Sequence, residues 1–538
     1  MKRVCISRNT NKHENHHMQV PSDNLEKNYL RMKGRIQMSC LLVILLMACQ
    51  MANGIDSVDL VPKPKSLQIR EGILTVKRVF RVENSEFKYD YARYLNSVYF
   101  EGLDYNCINS SDKMSEIKIK KLSIKMNDEA YRLTIGPNGV ELEASTHAGV
   151  LYGIQTLKQI LVQSWNGKEF HLPFLKIEDE PVFPMRGFML DASRHFQPLA
   201  TVKHVLDYML SMKLNVFHWH LSDDQGWRIQ SLKYPELNLI SSFVNVDNAP
   251  ETNGFYSIDE IHEVIAYATD RNIEIIPEFD IPGHSFAVLE AFPRLRCPHD
   301  PKSSAFCAGN PESLKVIKDI FGEMIEIFKP RYIHIGGDER QKDLWNKCDL
   351  CNAKMKELGV SNENDLQNKM LVEISEFIHS KGVKTISWAE NLDGILAEGQ
   401  IIQSWRLDAE AYNSIKKGHV VYNSDNGVCY LDYPENIVDA ISKPKWMQVL
   451  SIEKVYNFNP VPKGLSKEES KMVLGSECPL WTESITTDKI YPQIKGRMEA
   501  HAEKCWTPNE QKDFADFTRR MNTLNSYFRL QFYQQRIY

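Results

Sequence analysis

The sequence predicts a (β/α)8 barrel of the α/β class, preceded by a small α+β domain. Three observations predict it. Beyond Pro181 and Pro184, eight short apolar runs of strand character recur, with helical stretches between most of them. The first run leads into Asp191-Ala192-Ser193-Arg194-His195, where a doubly wound open sheet would carry a glycine-rich phosphate turn. Almost every run ends in an acid, an indole or both, and the C-terminal ends of the strands are where a barrel of this kind gathers its site.

Residues 1–54 are read as an N-terminal extension and export signal. Met32-Lys33-Gly34-Arg35 is basic, and Cys40 to Cys49 is an apolar run too short to span a bilayer in the usual way. The polar residues 1–31 are expected to precede a true start at Met32 or Met38. Two exits from the signal stay open. Ala52-Asn53-Gly54 is a small-residue cleavage site, whereas Leu46-Met47-Ala48-Cys49 resembles a bacterial lipobox that would leave Cys49 lipidated as a membrane tether. Either way the protein is expected to be exported: periplasmic, cell-surface or secreted.

Residues 55–180 form the small domain. Tyr131–Ile135 and Gly139–Glu143 read as paired strands, and Ser145–Gln163 as a helix with a Ser/Thr start and an apolar face. Residues 181–507 form the barrel. Its strands are expected at Met185–Asp191, Leu214–Leu221, Ile273–Phe279, Tyr332–Gly337, Val383–Trp388, Ile401–Trp405, Val420–Asn423 and Met472–Glu477. Leu199–Met212, Ile258–Arg271, Glu312–Phe328 and Leu366–Lys381 are helical stretches between them. Residues 508–538 are aromatic and charged at helical spacing and are expected to pack on the barrel as a helix.

Composition narrows the function classes. Charged residues make up 25% and the net charge is −5, so nothing points to nucleic acid or to an electrostatic membrane surface. Eleven cysteines in 538 residues do not make a disulfide scaffold. Cys297 and Cys307 flank a short loop and could pair in an oxidising compartment, and Cys348-x-x-Cys351 shows no matching second pair, so it is a weak zinc signal. Asn109-Ser110-Ser111 fits a glycosylation sequon, which matters only in a eukaryotic host.

The chemistry lies at the strand ends. The fourth strand runs into Gly336-Gly337-Asp338-Glu339. Neighbouring side chains of a regular strand point to opposite faces, so both carboxylates reach one pocket only if the strand is already breaking up at Asp338, which the glycines permit. Around this pair the other ends contribute Asp191 and Arg194, Asp223 and Asp224, Glu278 and His284, Trp388 and Glu390, Trp405, Asp425, Tyr430 and Asp432, then Glu477, Trp481 and Glu483. Acids and indoles together suit a sugar, because carboxylates bind hydroxyls and indole faces stack on the C–H face of a pyranose. A phosphate would want lysines, arginines and backbone N–H groups. His218-x-His220 puts two imidazoles on one face of the second strand. They suit zinc, but buried hydrogen-bonded histidines are the commoner meaning.

The motifs Asp191-x-x-Arg194-His195-Phe196, His218-Trp219-His220-Leu221-x-Asp223, Pro282-Gly283-His284, Gly336-Gly337-Asp338-Glu339 and Trp481-Thr482-Glu483, taken together, resemble glycoside hydrolase family 20, the β-N-acetylhexosaminidases. The resemblance runs from about Val61 to Trp506 and covers both domains. It implies an exo-acting retaining enzyme that needs no cofactor and uses the substrate's own 2-acetamido group as nucleophile, through an oxazolinium intermediate. It implies Glu339 as general acid and base, Asp338 as the residue that holds and polarises the acetamido group, and Tyr430 as a hydrogen-bond donor to the acetamido oxygen. Asp223 and His284 would form a proton network with Glu339. Arg194 would hold the 3- and 4-hydroxyls, Asp432 and Glu483 the 4- and 6-hydroxyls, and Trp388, Trp405 and Trp481 the acetamido pocket and sugar face. An acid of this kind needs a raised pKa, which Asp338 beside Glu339 and the dry indole walls are expected to supply. Three rivals stay open: a silent carbohydrate-binding protein on the same barrel, a glycosidase with a protein nucleophile, and a disaccharide-releasing member of the same family.

Overall fold

The computed structural model describes residues 57–525, apart from 98–104, 113, 124–125, 244–252, 391–393, 395 and 407. The export signal, both of its exits and the end of the tail lie outside the described residues. Among those residues no helix is long and apolar enough to cross a membrane.

The first layer is a seven-stranded sheet: β1 (Ser66–Val76), β2 (Val79–Asn84), β3 (Asn106–Ser110), β4 (Ile117–Lys121), β5 (Tyr131–Gly136), β6 (Gly139–Ala144) and β7 (Phe170–Asp179). Their order is β1-β7-β5-β6-β4-β2-β3. The alternation expected for the β5–β6 hairpin is present, with one side chain in two buried along each strand. The helix α1 (His147–Ser164), capped by Thr146 accepting from Gly149 N–H, is buried on nearly every side. It has the sheet on one face and barrel helix α2 (Leu199–Ser211) on another, which explains why its apolar residues do not keep to one stripe.

The second layer is a closed eight-stranded parallel barrel, as the sequence predicts. Its strands are β8 (Met185–Asp191), β9 (Val216–His220), β10 (Glu274–Ile281), β11 (Tyr332–Gly336), β12 (Lys384–Trp388), β13 (Ile401–Ser404), β14 (Val421–Asn423) and β15 (Val473–Leu480). The last strand runs on past Glu477. Cys478, Pro479 and Leu480 keep register with Phe188, Met189 and Leu190 of β8, and the Pro479 carbonyl accepts Leu431 N–H at 2.7 Å. The outer helices include α3 (Ile258–Thr269), α4 (Pro311–Phe328), α5 (Asp349–Leu358), α6 (Glu363–His379), α7 (Asp408–Lys416) and α8 (Arg497–Trp506), and the tail helix α9 (Phe514–Asn525) docks through buried Phe517 and Arg520.

Charges as well as apolar surface fasten the sheet domain to the barrel. Arg186 of β8 is fully buried and makes a two-pronged pair with Glu129, each contact 2.8 Å. Lys213 lies 3.1 Å from Asp179, and Trp506 Nε1–H donates to the same carboxylate at 2.9 Å.

Candidate functional site

The site is built where β10 and β11 end. Gly336 and Gly337 take φ of +64° and +106°, and a Cβ on Gly336 would fall 1.6 Å from Asp280 Oδ1. Only glycine allows that approach. Gly337 N–H donates to the same Asp280 oxygen at 3.2 Å. The strand is thereby broken before Asp338, and both carboxylates turn to one side: His284 Nε2 lies 4.0 Å from Asp338 Oδ2 and 3.7 Å from Glu339 Oε2. His284 and Glu339 both occupy left-handed backbone, at φ of +48° and +42°. Such positions are costly for residues with a Cβ and cluster at sites of function.

From His284 the network continues inward. Its Nδ1 is 3.2 Å from Asp223 Oδ1, and Asp223 Oδ2 is 3.0 Å from His220 Nε2 and 2.7 Å from Arg194 Nη2. Burial works against the Asp223 charge, but Arg194 and His284 outweigh it and hold the carboxyl well below its ordinary range. Burial opposes the His284 charge too, yet Asp223 holds the imidazole well above its usual value. Arg194 is itself fixed: Nε donates to Gln225 Oε1 at 3.2 Å, Nη1 is 3.4 Å from Asp191, and the guanidinium lies 4.8 Å over the Trp481 ring with Nη2 3.8 Å from Glu483. Asp191 accepts from Ser193 and Arg194 N–H with one oxygen and from Thr482 N–H with the other, so it joins the loops after the first and last strands.

Aromatic walls complete the pocket. The Trp388 and Trp481 rings are 5.9 Å apart at 42°, and Tyr430 is 6.1 Å from Trp481. Tyr430 is buried, and its hydroxyl is held protonated by that burial and by Asp338 nearby. Trp405 is packed half-buried against the core, with its Nε1–H unpartnered and Arg406 stacked 4.5 Å over the ring. Asp432 is buried with Oδ1 unpartnered, and burial together with Glu483 pushes its carboxyl up to about 8.

The two adjacent acids differ from the sequence-based expectation. Glu339 was the acid expected to have a raised pKa. Instead it is lowered, first by His284 with Nε2 3.7 Å away, because its side chain is 54% exposed and faces a cation. Asp338 is the raised one, to about 6, mainly through burial, and its Oδ1 has no hydrogen-bond partner.

The sequence names Glu278, Glu477, His218 and His220 singly, but not the layer they form with His334 beneath the rim. Glu278 is the hub of that layer. Trp388 Nε1–H donates to its Oε1 at 3.0 Å, His334 Nδ1 is 2.7 Å from the same oxygen, His220 Nδ1 bonds its Oε2, and His218 Nε2 sits 3.0 Å from Oε2. His218 Nδ1 in turn meets Glu477 Oε1 at 3.0 Å, and Gln403 donates to that same oxygen at 2.7 Å. His218 and His220 are thus buried histidines paired with acids. His218, Glu278 and His334 come within metal-ligand reach of one another, but the Glu278 oxygens are already engaged by Trp388 and His220. The signal was available in Glu278-Phe279-Asp280, whose acids two apart face the same side of a strand.

The cysteine expectations need correction. Cys297 and Cys307 are not joined to each other; both are free thiols. Cys348-x-x-Cys351 does have a second pair. All four side chains are buried, and their Sγ atoms lie within 4.8 Å of one another. The two pairs are far apart in sequence, so only the closed barrel brings them together.

Comparison with known proteins agrees with this geometry. The family model for glycosyl hydrolase family 20, catalytic domain, matches residues 183–509, and that for domain 2 of the same family matches residues 57–180. A β-hexosaminidase of Porphyromonas gingivalis is 36% identical over 417 residues, covering 74% of this chain and 53% of the relative. The chain therefore spans about half the length of that relative. A β-hexosaminidase of Akkermansia muciniphila is 30% identical, with 74% of this chain and 83% of the relative covered. The crystal structure of an exo-β-N-acetylglucosaminidase of Vibrio harveyi, bound to N-acetylglucosamine, superposes with a TM-score of 0.78 at 27% identity, covering 88% of this chain and 78% of that one.

Proposed function

This chain belongs to glycosyl hydrolase family 20, and from that premise we propose that it is an exported, exo-acting, retaining β-N-acetylhexosaminidase. The observation that carries the reading is the pair of unlike acids on one side of His284. Asp338 is buried with an unpartnered oxygen, and Glu339 beside it is half exposed to the pocket mouth.

In this reading the terminal sugar enters with its non-reducing end at Arg194, Asp432 and Glu483, which take the ring hydroxyls. Its apolar face lies on Trp481, and the acetamido group fits between Trp388, Trp405 and Tyr430. Asp338 accepts the acetamido N–H with its free oxygen, and Tyr430 donates to the acetamido oxygen. That oxygen attacks the anomeric carbon as the glycosidic bond breaks, and Glu339 gives a proton to the leaving oxygen. The half-exposed Glu339 is ionised in the empty pocket, so the substrate must help it take up that proton, by drying the carboxyl and drawing it off His284. Water then opens the oxazolinium with Glu339 acting as base, and the product keeps its β configuration. Asp338 stabilises the positive charge that develops on the acetamido nitrogen only as the ring closes, which makes it differential binding of the transition state. The bound N-acetylglucosamine of the Vibrio harveyi neighbour supports a glycan in this pocket.

The test is to assay the protein on an aryl β-N-acetylglucosaminide and on the matching β-glucoside. Cleavage of the first alone is expected. Equal cleavage of both would overturn acetamido assistance in favour of a protein nucleophile. Cleavage of neither would favour a binding protein, or a pocket built to release a larger unit.

A further inference from the structure

Four cysteines meet beside the site and take no part in it. Cys297 and Cys307 belong to the loop that follows β10, which also carries His284. Cys348 and Cys351 lie after β11, beyond Glu339, at the start of helix α5. All four are essentially inaccessible to solvent. Three Sγ–Sγ separations are 3.9 Å (Cys297–Cys351), 3.7 Å (Cys307–Cys348) and 3.6 Å (Cys307–Cys351). These are much longer than the roughly 2.05 Å of a disulfide. A zinc ion with Zn–S bonds of about 2.3 Å sets tetrahedral sulfurs about 3.8 Å apart, which is the spacing seen.

Backbone N–H groups also face the sulfurs. Gly309 N–H donates to Cys351 Sγ at 3.4 Å. Cys348 is the residue before a ten-residue helix and Cys351 lies in its first turn, where free N–H groups favour negative charge. Gly309 is there because nothing larger fits: a Cβ would fall 2.2 Å from the Leu350 backbone.

We propose that Cys297, Cys307, Cys348 and Cys351 form a closed structural site for one zinc ion that locks the loop bearing His284 to the loop bearing Glu339. Binding converts four thiols to thiolates and releases four protons for each zinc taken up. With all four positions filled by sulfur, the ion has no open site for substrate or water. Its effect reaches the pocket through packing. Phe306, next to Cys307, donates its N–H to the Pro282 carbonyl at 3.0 Å, two residues before His284. The Phe306 carbonyl accepts from Trp345 Nε1 at 3.0 Å. The Trp345 ring carries Arg340 stacked 4.6 Å above it, and Arg340 follows Glu339 in the chain.

The test is metal analysis of the full-length protein, purified without chelator from zinc-supplied cells and dialysed. The expected content is about one zinc per chain, released by a mercurial reagent together with four newly titrating thiols. Cys351→Ser and Cys348→Ser are expected to lose the zinc and to melt roughly 5–10 °C lower, whereas Cys107→Ser, in the sheet domain, keeps it. Should the serine variants fail to fold, metal content and cobalt substitution of the unaltered protein decide. Intense visible bands of tetrahedral cobalt–thiolate support the site. Metal-free protein with four reactive thiols, or peptide mapping that finds two disulfides among these cysteines, overturns it. None of these readings depends on glycosidase activity, so this proposal and the enzymatic one fail separately.

Discussion

The barrel holds two layers of acids a few ångströms apart, and they are treated in opposite ways. In the lower layer an indole N–H and three imidazoles lie within 3.0 Å of the two Glu278 oxygens. Burial alone would protonate it, but the neighbouring imidazoles, His220 first, hold it well below the ordinary carboxyl range. In the upper layer Asp338 and Asp432 are also buried, yet each keeps one oxygen without a partner and is pushed up, to about 6 and about 8. A buried polar atom left unpaired costs free energy. At Asp338 and Asp432 that cost sits at the pocket, where a ligand can relieve it. The lower layer sets the positions of Trp388 and of the His220–Asp223 link, and the upper layer waits for hydroxyl and amide donors.

The comparison can be broken from either side. The largest effect is expected at the rim. Glu339→Gln should lower kcat/KM on a natural oligosaccharide by about 10²–10⁴, and by much less on an aryl glycoside whose leaving group needs no proton. Steady-state kinetics on the two substrates check this. Next, Asp338→Asn should reduce kcat about 10²–10³-fold. An acid with a raised pKa is neutral below that value and charged above it. Wild-type kcat/KM should therefore fall as the pH drops through about 6, the value to which burial raises Asp338, and that acid limb should vanish in Asp338→Asn. In the lower layer Glu278→Ala should act on stability, because it strands paired imidazoles and an indole N–H. A loss of about 3–5 kcal/mol is expected, read from denaturant unfolding. The smallest effect belongs to Glu483, whose side chain is 52% exposed. Glu483→Gln should raise KM a few-fold with kcat nearly unchanged, since the water-facing end of a polar contact contributes little.

Legibility followed the same division. The barrel strands could be found in the sequence because a parallel strand covered on both faces is mostly apolar, as Met185–Leu190 and Ile333–Ile335 are apart from Arg186 and His334. The rim could be found because two glycines before Asp338 and Glu339 announce a broken strand, and because indoles cluster at other strand ends. Glu278 could be named at a strand end but not as a hub, since one acid in an apolar run gives no hint of the three histidines, from two other strands, that meet it. The inverted order of the Asp338 and Glu339 acidities was hidden as well. It depends on burial of Asp338 and on His284, 54 residues before Asp338 in the chain, lying 3.7 Å from Glu339. The cysteine quartet failed to show for a similar reason, because its two halves come from loops after different strands.

The paired charges between the sheet domain and the barrel bear on how far the catalytic half is portable. Separate family models match the two halves, which invites cutting the chain near residue 180 to obtain a minimal enzyme. Arg186 sits on the first barrel strand with its counter-charge Glu129 in the other domain, and Lys213 looks across the same boundary to Asp179. A trimmed barrel would keep both cations and lose both anions, at the end of the strand that leads to Asp191 and Arg194. Anyone transplanting this barrel into another protein must carry the sheet with it, or redesign Arg186 and Lys213 as neutral residues first.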